Sequence, residues 1–282
     1  NAFNSYVQTA LNRTSELNLT VAGDGTIRGP GIFPMDYHNT TVDNEAVQSF
    51  RNINERFLVQ LAYNARKNGS TSSQELLQKI FGWYYDQGWA DGSAMGRLRF
   101  EMLRSSGFFH AAYLMRDALP GTQFEQVMNA MNWFTLFGKV YATDRLPGES
   151  ADQIRTQLLP KLFYAAAMKD EKAQITAMNA LVGYANNAVT PAPGYLDCLK
   201  PDYSGYHHRG VYFNAYYPDA LYSASLMCYF LSGTPFQLSE ESYQHLKNAL
   251  LTFGFVSAGY DVPGGATGRF PQQTEVLDKL LP

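Results

Sequence analysis

Apolar residues along most of this chain recur at steps of three and four, the period at which one face of a helix is buried. Val47, Phe50, Ile53, Phe57, Leu58, Leu61 and Ala65 form the first long stripe, and Asn68-Gly69 closes it. Ser72 or Ser73 is placed to cap a second helix with Leu76, Leu77, Ile80, Phe81 and Tyr84 on one face, ending at Gln87-Gly88. Further stripes predict helices within 95–119 and over 124–141, 151–168, 172–188, 219–231 and 239–255, with Pro160 a candidate kink. Period-two alternation is almost absent, so the pattern predicts an all-α fold of antiparallel helical hairpins joined by short Gly, Asn and Pro links. Residues 1–44 stand apart as a lead-in, a short amphipathic piece followed by the irregular GDGTIRGPGIFPMDYHNTT, before a main domain over 45–282.

One stretch breaks the helical period. LKPDYSGYHHRGVYFNAYYP, 199–218, places His207, His208 and Arg209 among Tyr203, Tyr206, Tyr212, Tyr216 and Tyr217, with Gly205 and Gly210 interrupting any helix. It reads as a partly exposed loop that ends where a helix begins near Pro218. Imidazole, phenol and guanidinium together form an acid/base set with a cation beside it. Surface tyrosines and a structural histidine pair are the plainer reading.

A net charge of −3 gives no basic field, which argues against nucleic acid as a partner. A polyanionic ligand would have to be met by a local basic cleft. Aromatic residues make up 14% of the chain, enough for sugar-stacking surfaces as well as a core. No apolar run is long enough to span a membrane. Cys198 and Cys228 flank the 199–218 stretch, and the sequence leaves open whether they pair. His38, beside Asp36 and Tyr37, has no partner at metal-ligand spacing, and no metal site is expected.

Asp202-x5-His208, Gly210, Tyr212, Tyr216 and the Tyr217-Pro218 close resemble the catalytic loop of chondroitin ABC lyases, within the wider hyaluronate, chondroitin and xanthan lyase family. Asp86-Gln87-Gly88 with Gly92-Ser93-Ala94, Met115-x-Asp117-Ala118-Leu119, Gly233-Thr234-Pro235-Phe236 and Gly268-Arg269-Phe270-Pro271 resemble other family segments in the same order. The resemblance implies an incomplete α/α toroid, here the helical catalytic domain without the family's β-sandwich domains. It also implies β-elimination at a 4-linked uronic acid of chondroitin or dermatan sulfate, with hyaluronan a further candidate substrate.

Such a reaction must neutralise the uronate, remove the C5 proton and protonate the leaving O4 oxygen. The resemblance assigns proton transfer to Tyr216, with Tyr217 the neighbouring alternative. It assigns charge neutralisation to His208 and a planar, carboxylate-matching cation to Arg269. A free phenol titrates near about 10, so a tyrosine base needs cations around it. His207, Arg209, Tyr212 and Trp89 are expected to contact substrate, as are Arg97 and Arg99, which with Arg104, Phe108 and Phe109 stand where the family has a His- and Trp-rich segment. The family's catalytic Glu has no counterpart before residue 282, the surroundings of Glu275 being dissimilar.

The chemistry is expected to need no cofactor, a structural divalent cation elsewhere in the full-length protein being left open. Expected partners are an acidic polysaccharide and further domains of the same polypeptide, in a secreted or periplasmic bacterial setting. Two other readings compete. A non-catalytic polysaccharide-binding domain would keep the aromatics without the Tyr/His/Arg set, and a glycoside hydrolase on a similar toroid would need a pair of cleft carboxylates about 5 to 10 Å apart.

Overall fold

The structure is a computed structural model, and it describes residues 2–32, 53–93, 102–257, 261–268 and 271–272. The chain forms two compact units, Asn1–Phe137 with Ala166–Met168, and Gly138–Ala165 with Lys169–Pro282.

The first unit contains α1 (Ala2–Asn12), a small hairpin of β1 (Thr20–Val21) and β2 (Ile27–Arg28), then α2 (Val59–Asn68), α3 (Thr71–Asp86), α4 (Met102–Met115) and α5 (Gly121–Thr135). A π-helical turn, Asn54–Leu58, leads into α2. Gly69, at φ 67°, ends α2 in the left-handed conformation that costs glycine little. Ser70, not Ser72 or Ser73, caps α3, its hydroxyl accepting from the Ser73 N–H at 3.3 Å. Within the Gly-rich lead-in the β1–β2 hairpin is tied to α3, because Ile27 N donates to Asp86 Oδ2 at 2.7 Å and Lys79 Nζ donates to the Leu19 carbonyl at 2.7 Å.

An aromatic cluster fills this unit. Phe81, Trp83, Tyr84, Phe108 and Phe109 are buried, and Trp89 stacks on Phe134 with centroids 3.8 Å apart while meeting Phe108 edge-on at 5.4 Å.

The second unit contains α6 (Ala151–Ala167) as far as Ala165, α7 (Glu171–Ala188), a three-stranded antiparallel sheet of β3 (Cys198–Leu199), β4 (Gly205–His207) and β5 (Gly210–Val211), then α8 (Tyr216–Leu231) and α9 (Glu240–Val256). Asp170 caps α7 through Ala173 N at 2.7 Å, and Ser239 caps α9 through Ser242 N at 3.1 Å. Helix α6 runs on through Pro160. Ile154, Leu158, Leu181, Leu221, Ala224, Leu246 and Phe253 bury the facing stripes of these helices. Cys198 and Cys228 are both free thiols.

Helix α8 begins at Tyr216, ahead of the 219 start read from the apolar stripe, because Pro218 lies in its first turn where the missing N–H has no helical partner to lose. Among the described residues, no helix is long and apolar enough to cross a membrane, and no group of His, Cys, Asp and Glu side chains could hold a metal ion.

Candidate active site

The 199–218 stretch, expected to be irregular, is the small sheet plus the first turn of α8. Asp202 Oδ1 accepts from Ser204 N at 3.0 Å and Lys200 N donates to the Ser204 carbonyl at 3.0 Å, closing the β3–β4 turn around Tyr203 at φ 62°. Between β4 and β5, His207 pairs with Gly210, leaving His208 and Arg209 as a two-residue turn at φ 50° and 65°. Turns with both central residues at positive φ favour Asn and Gly, and side chains held there each cost of order 1–3 kcal/mol. Tyr206 braces the turn, its hydroxyl donating to the Arg209 carbonyl at 2.8 Å. Ala215 is also at positive φ, 51°, where the chain bends into α8. Backbone strain thus brackets the two segments that present His208 and Tyr216.

Two glycines set the packing around this loop. A Cβ on Gly205 would lie 2.3 Å from the Tyr217 ring, and one on Gly268 would lie 2.6 Å from Tyr212 Cδ2. Phe213 N also donates to the Ala266 carbonyl at 2.8 Å. The Gly268 turn, far away in sequence, is therefore against the loop.

A charged chain runs beneath the loop. His207 is buried, with Nδ1 donating to Asp197 Oδ2 at 2.7 Å and Nε2 3.5 Å from Asp152 Oδ2, the second contact being an ion pair without hydrogen-bond geometry. Asp152 Oδ1 accepts from Arg155 Nε at 2.9 Å and Nη2 at 2.7 Å, both residues lying in the first turns of α6. Arg155 also pairs with Asp219 at 3.7 Å, and its guanidinium carbon lies 4.2 Å from the Tyr216 ring centroid. Burial disfavours the imidazolium of His207, yet the two carboxylates outweigh it and raise the group to about 9. Burial likewise works to raise Asp152, but the charges of His207 and Arg155 prevail and hold it at about 2. At neutral pH His207 is therefore an imidazolium set between the Asp197 and Asp152 carboxyls, with the Arg155 guanidinium beyond Asp152 and against the Tyr216 ring.

Tyr216 is the hub of the aromatic contacts, with centroids 4.9 Å from His207, 5.8 Å from His208 and 5.2 Å from Tyr212. The two imidazoles lie 3.9 Å apart. Tyr217 turns the other way: it is fully buried, meets Phe213 edge-on at 5.6 Å, and donates its hydroxyl to the Tyr203 carbonyl at 3.0 Å. His208, Tyr212 and Tyr216 thus come together, with Arg209 exposed at the turn.

His207, 4% exposed and held by Asp197, and Tyr212, 3% exposed, do not match their expected contact with substrate, and neither does Trp89. It is 2% exposed within the aromatic core of the first unit, which leaves its ring no face for a sugar. Arg97, Arg99 and Arg269, like Glu275, His38 and the Arg104 side chain, lie outside the described residues. Sequence reasoning missed Asp152, Arg155 and Asp197 altogether. For Asp152 and Arg155 the only signal was an acidic and a basic residue one turn apart at a helix start, which ordinarily marks capping, and Asp197 had none.

Beside the loop, His208, Arg209 and Asp197 also line a cleft of about 550 Å³.

The chondroitin sulfate ABC endolyase of Proteus vulgaris is 27% identical over 199 residues, covering 69% of this chain and 19% of its own length. The chondroitin sulfate ABC exolyase of the same organism is 24% identical over 273 residues, covering 91% of this chain and 28% of its own length. This chain therefore spans under a third of either curated relative. Among solved structures, a Paenibacillus xanthan lyase superposes with a TM-score of 0.66 at 13% identity, over 95% of this chain and 24% of that one. Chondroitinase AC lyase superposes with a TM-score of 0.60 at 17% identity, over 96% of this chain and 37% of that one. These likenesses give the fold, the all-α architecture of the α/α-toroid lyases. The family described as "Lyase, catalytic" matches residues 22–280. With a helical scaffold, a Tyr/His loop mounted on it and a family match along nearly its whole length, this chain belongs to that lyase catalytic-domain family.

Proposed function

We propose that this domain cleaves uronic-acid-containing glycosaminoglycans, chondroitin and dermatan sulfate with hyaluronan as a further candidate, by β-elimination. The observation that carries the reading is the convergence of Tyr216 and His208 on one strained loop, with the positive groups of His207 and Arg155 against Tyr216.

In this mechanism Tyr216 takes the C5 proton and returns a proton to the departing O4 oxygen. The C5 proton sits beside a carboxylate whose charge opposes a second anion, so removal needs positive charge placed in advance. His208, exposed at the turn, neutralises the uronate and serves as base toward the opposite C5 epimer. Arg269, following the Gly268 that packs on Tyr212, supplies the planar fork for the carboxylate or bridging oxygen. Arg155 and His207 act from below, one against the Tyr216 ring and one held by two carboxylates. Every step is a proton transfer or a charge neutralisation, so the proposal calls for no cofactor.

A hydrolase is less well served by these groups. Asp152 and Asp197 are committed to His207, and a carboxyl held at about 2 is no proton donor at neutral pH. The acidic polysaccharide as partner, further domains of the same polypeptide and a secreted or periplasmic site belong to the same proposal, supported by longer bacterial relatives.

Incubation of the intact protein with chondroitin sulfate tests the reaction class. Elimination creates a conjugated unsaturated uronate that absorbs in the ultraviolet, whereas hydrolysis releases reducing ends without that chromophore and a binding domain releases neither. New reducing ends lacking the chromophore would overturn the lyase assignment.

A further inference from the structure

The cleft of about 550 Å³ beside the loop is within the usual size of a small-ligand site, roughly 300–1,000 Å³. It contains both signs of charge, but not on equal terms. Of its acids, Glu149 accepts from the Tyr184 hydroxyl at 2.8 Å and from Ser150 N at 2.8 Å, and Asp197 is bonded to His207 at 2.7 Å. Both carboxylates are already occupied by groups of the protein itself.

Its cations keep donors to spare. Lys139 and Arg209 are exposed, and neither makes an ion pair among the described residues. Arg145 donates from Nη2 to the Val140 carbonyl, its guanidinium lies 5.6 Å from the Tyr184 ring, and its buried Nε has no hydrogen-bond partner. A buried, unpartnered donor next to two uncommitted cations is an arrangement that an anionic group would complete. Tyr195, also in the lining, is 75% exposed and offers a ring on which the C–H face of a sugar can stack.

We propose that this cleft is a saccharide subsite that reads an anionic substituent, a sulfate ester or a uronate carboxylate, on a sugar unit neighbouring the one that reacts. Lys139, Arg145 and Arg209 are the charge partners and Tyr195 is the stacking surface. The proposal rests on the lyase reading above and adds where the polymer runs. His208 both lines the cleft and faces Tyr216 at 5.8 Å, so a chain seated in the cleft passes directly to the reacting loop. The strained turn that carries His208 and Arg209 thereby links reaction and recognition, one residue serving each.

The test uses Lys139→Ala and Tyr195→Ala in the intact protein, both surface changes, with thermal melts to verify folding. KM and kcat are measured on chondroitin sulfate and on unsulfated chondroitin, and oligosaccharide Kd by calorimetry in a Tyr216→Phe background. Each variant is expected to raise KM and Kd roughly three- to fivefold, as an exposed contact does, with kcat held within twofold. For Lys139→Ala, a loss confined to the sulfated polymer identifies the sulfate as the group read, and an equal loss on both identifies the carboxylate. Unchanged KM and Kd on both polymers overturn the subsite. Should the wild type release no unsaturated product, the lyase reading fails by itself, and the Kd arm still decides: oligosaccharide binding that depends on Lys139 and Tyr195 sustains the subsite, and binding indifferent to both removes it.

Discussion

The guanidinium carbon of Arg155 lies 4.2 Å from the centroid of the Tyr216 ring, while the same guanidinium donates twice to Asp152. One cation on α6 therefore fixes both the end of the His207 charge chain and the aromatic face of the proposed proton-transfer residue. Arg155→Met keeps much of the stem but removes the charge. A desolvated cation–π contact is worth up to about 2 kcal/mol, so kcat is expected to fall roughly 30-fold, with KM little changed. Steady-state kinetics on chondroitin sulfate measure it. A variant that keeps its fold and its kcat would reduce Arg155 to a structural brace.

The chain also makes stability depend on pH in a defined direction. His207 is raised from 6.5 to about 9 in the folded protein, so its contribution is complete below 6.5 and is lost as pH rises through about 9. Asp152 is lowered from 3.8 to about 2, so its contribution is present above 3.8 and is lost as pH falls through about 2. The two overlap fully between 3.8 and 6.5. Thermal melts of wild type and His207→Gln should show the wild-type advantage shrinking between pH 6.5 and 9. An advantage constant over that range would show that the imidazolium is not what the two carboxylates hold.

Gly205 and Tyr217 are expected to matter for folding. Gly205→Ala drives a methyl to within 2.3 Å of a buried ring and should cost about 1–3 kcal/mol. Tyr217→Phe loses one hydrogen bond, to the Tyr203 carbonyl, for about 1 kcal/mol. Denaturant titrations measure both, and a Gly205→Ala protein as stable as wild type would contradict the packing.

Trp89→Ala separates core from sugar platform. Removing a fully packed tryptophan should cost about 3–5 kcal/mol, while KM of the folded fraction stays unchanged. A stable variant with a raised KM would return Trp89 to the substrate.

How much of this was legible in the sequence follows from length and distance along the chain. Helices α2, α3, α7 and α9 announced themselves because each buries a stripe long enough to show its period. Strands β3, β4 and β5 did not, since two or three residues cannot display alternation. Tyr216 and Tyr217 are adjacent and chemically identical, and only the phase of α8 sends one to the imidazoles and the other to the core. Asp152 falls in a Ser150/Asp152 stretch that reads as helix capping and Arg155 carries no signal of its own, because nothing in a sequence says that the first turn of α6 lies under a loop more than forty positions later. Trp89 sits in a Gly/Asp/Ser-rich link that reads as exposed. Its burial depends on Phe108 and Phe134, which belong to other helices.

The most direct test of the account compares Tyr216→Phe with Tyr217→Phe in the intact protein, following the ultraviolet absorbance of the unsaturated product on chondroitin sulfate. Tyr216→Phe keeps the ring, and with it the contacts to Arg155 and His207, but has no proton to transfer. Its kcat should fall about 10²–10⁴-fold while oligosaccharide Kd stays near wild type. Tyr217→Phe should turn over within a few-fold of wild type. A Tyr216→Phe enzyme that eliminates at close to the wild-type rate, or a Tyr217→Phe enzyme that is the dead one, contradicts the assignment of proton transfer to Tyr216.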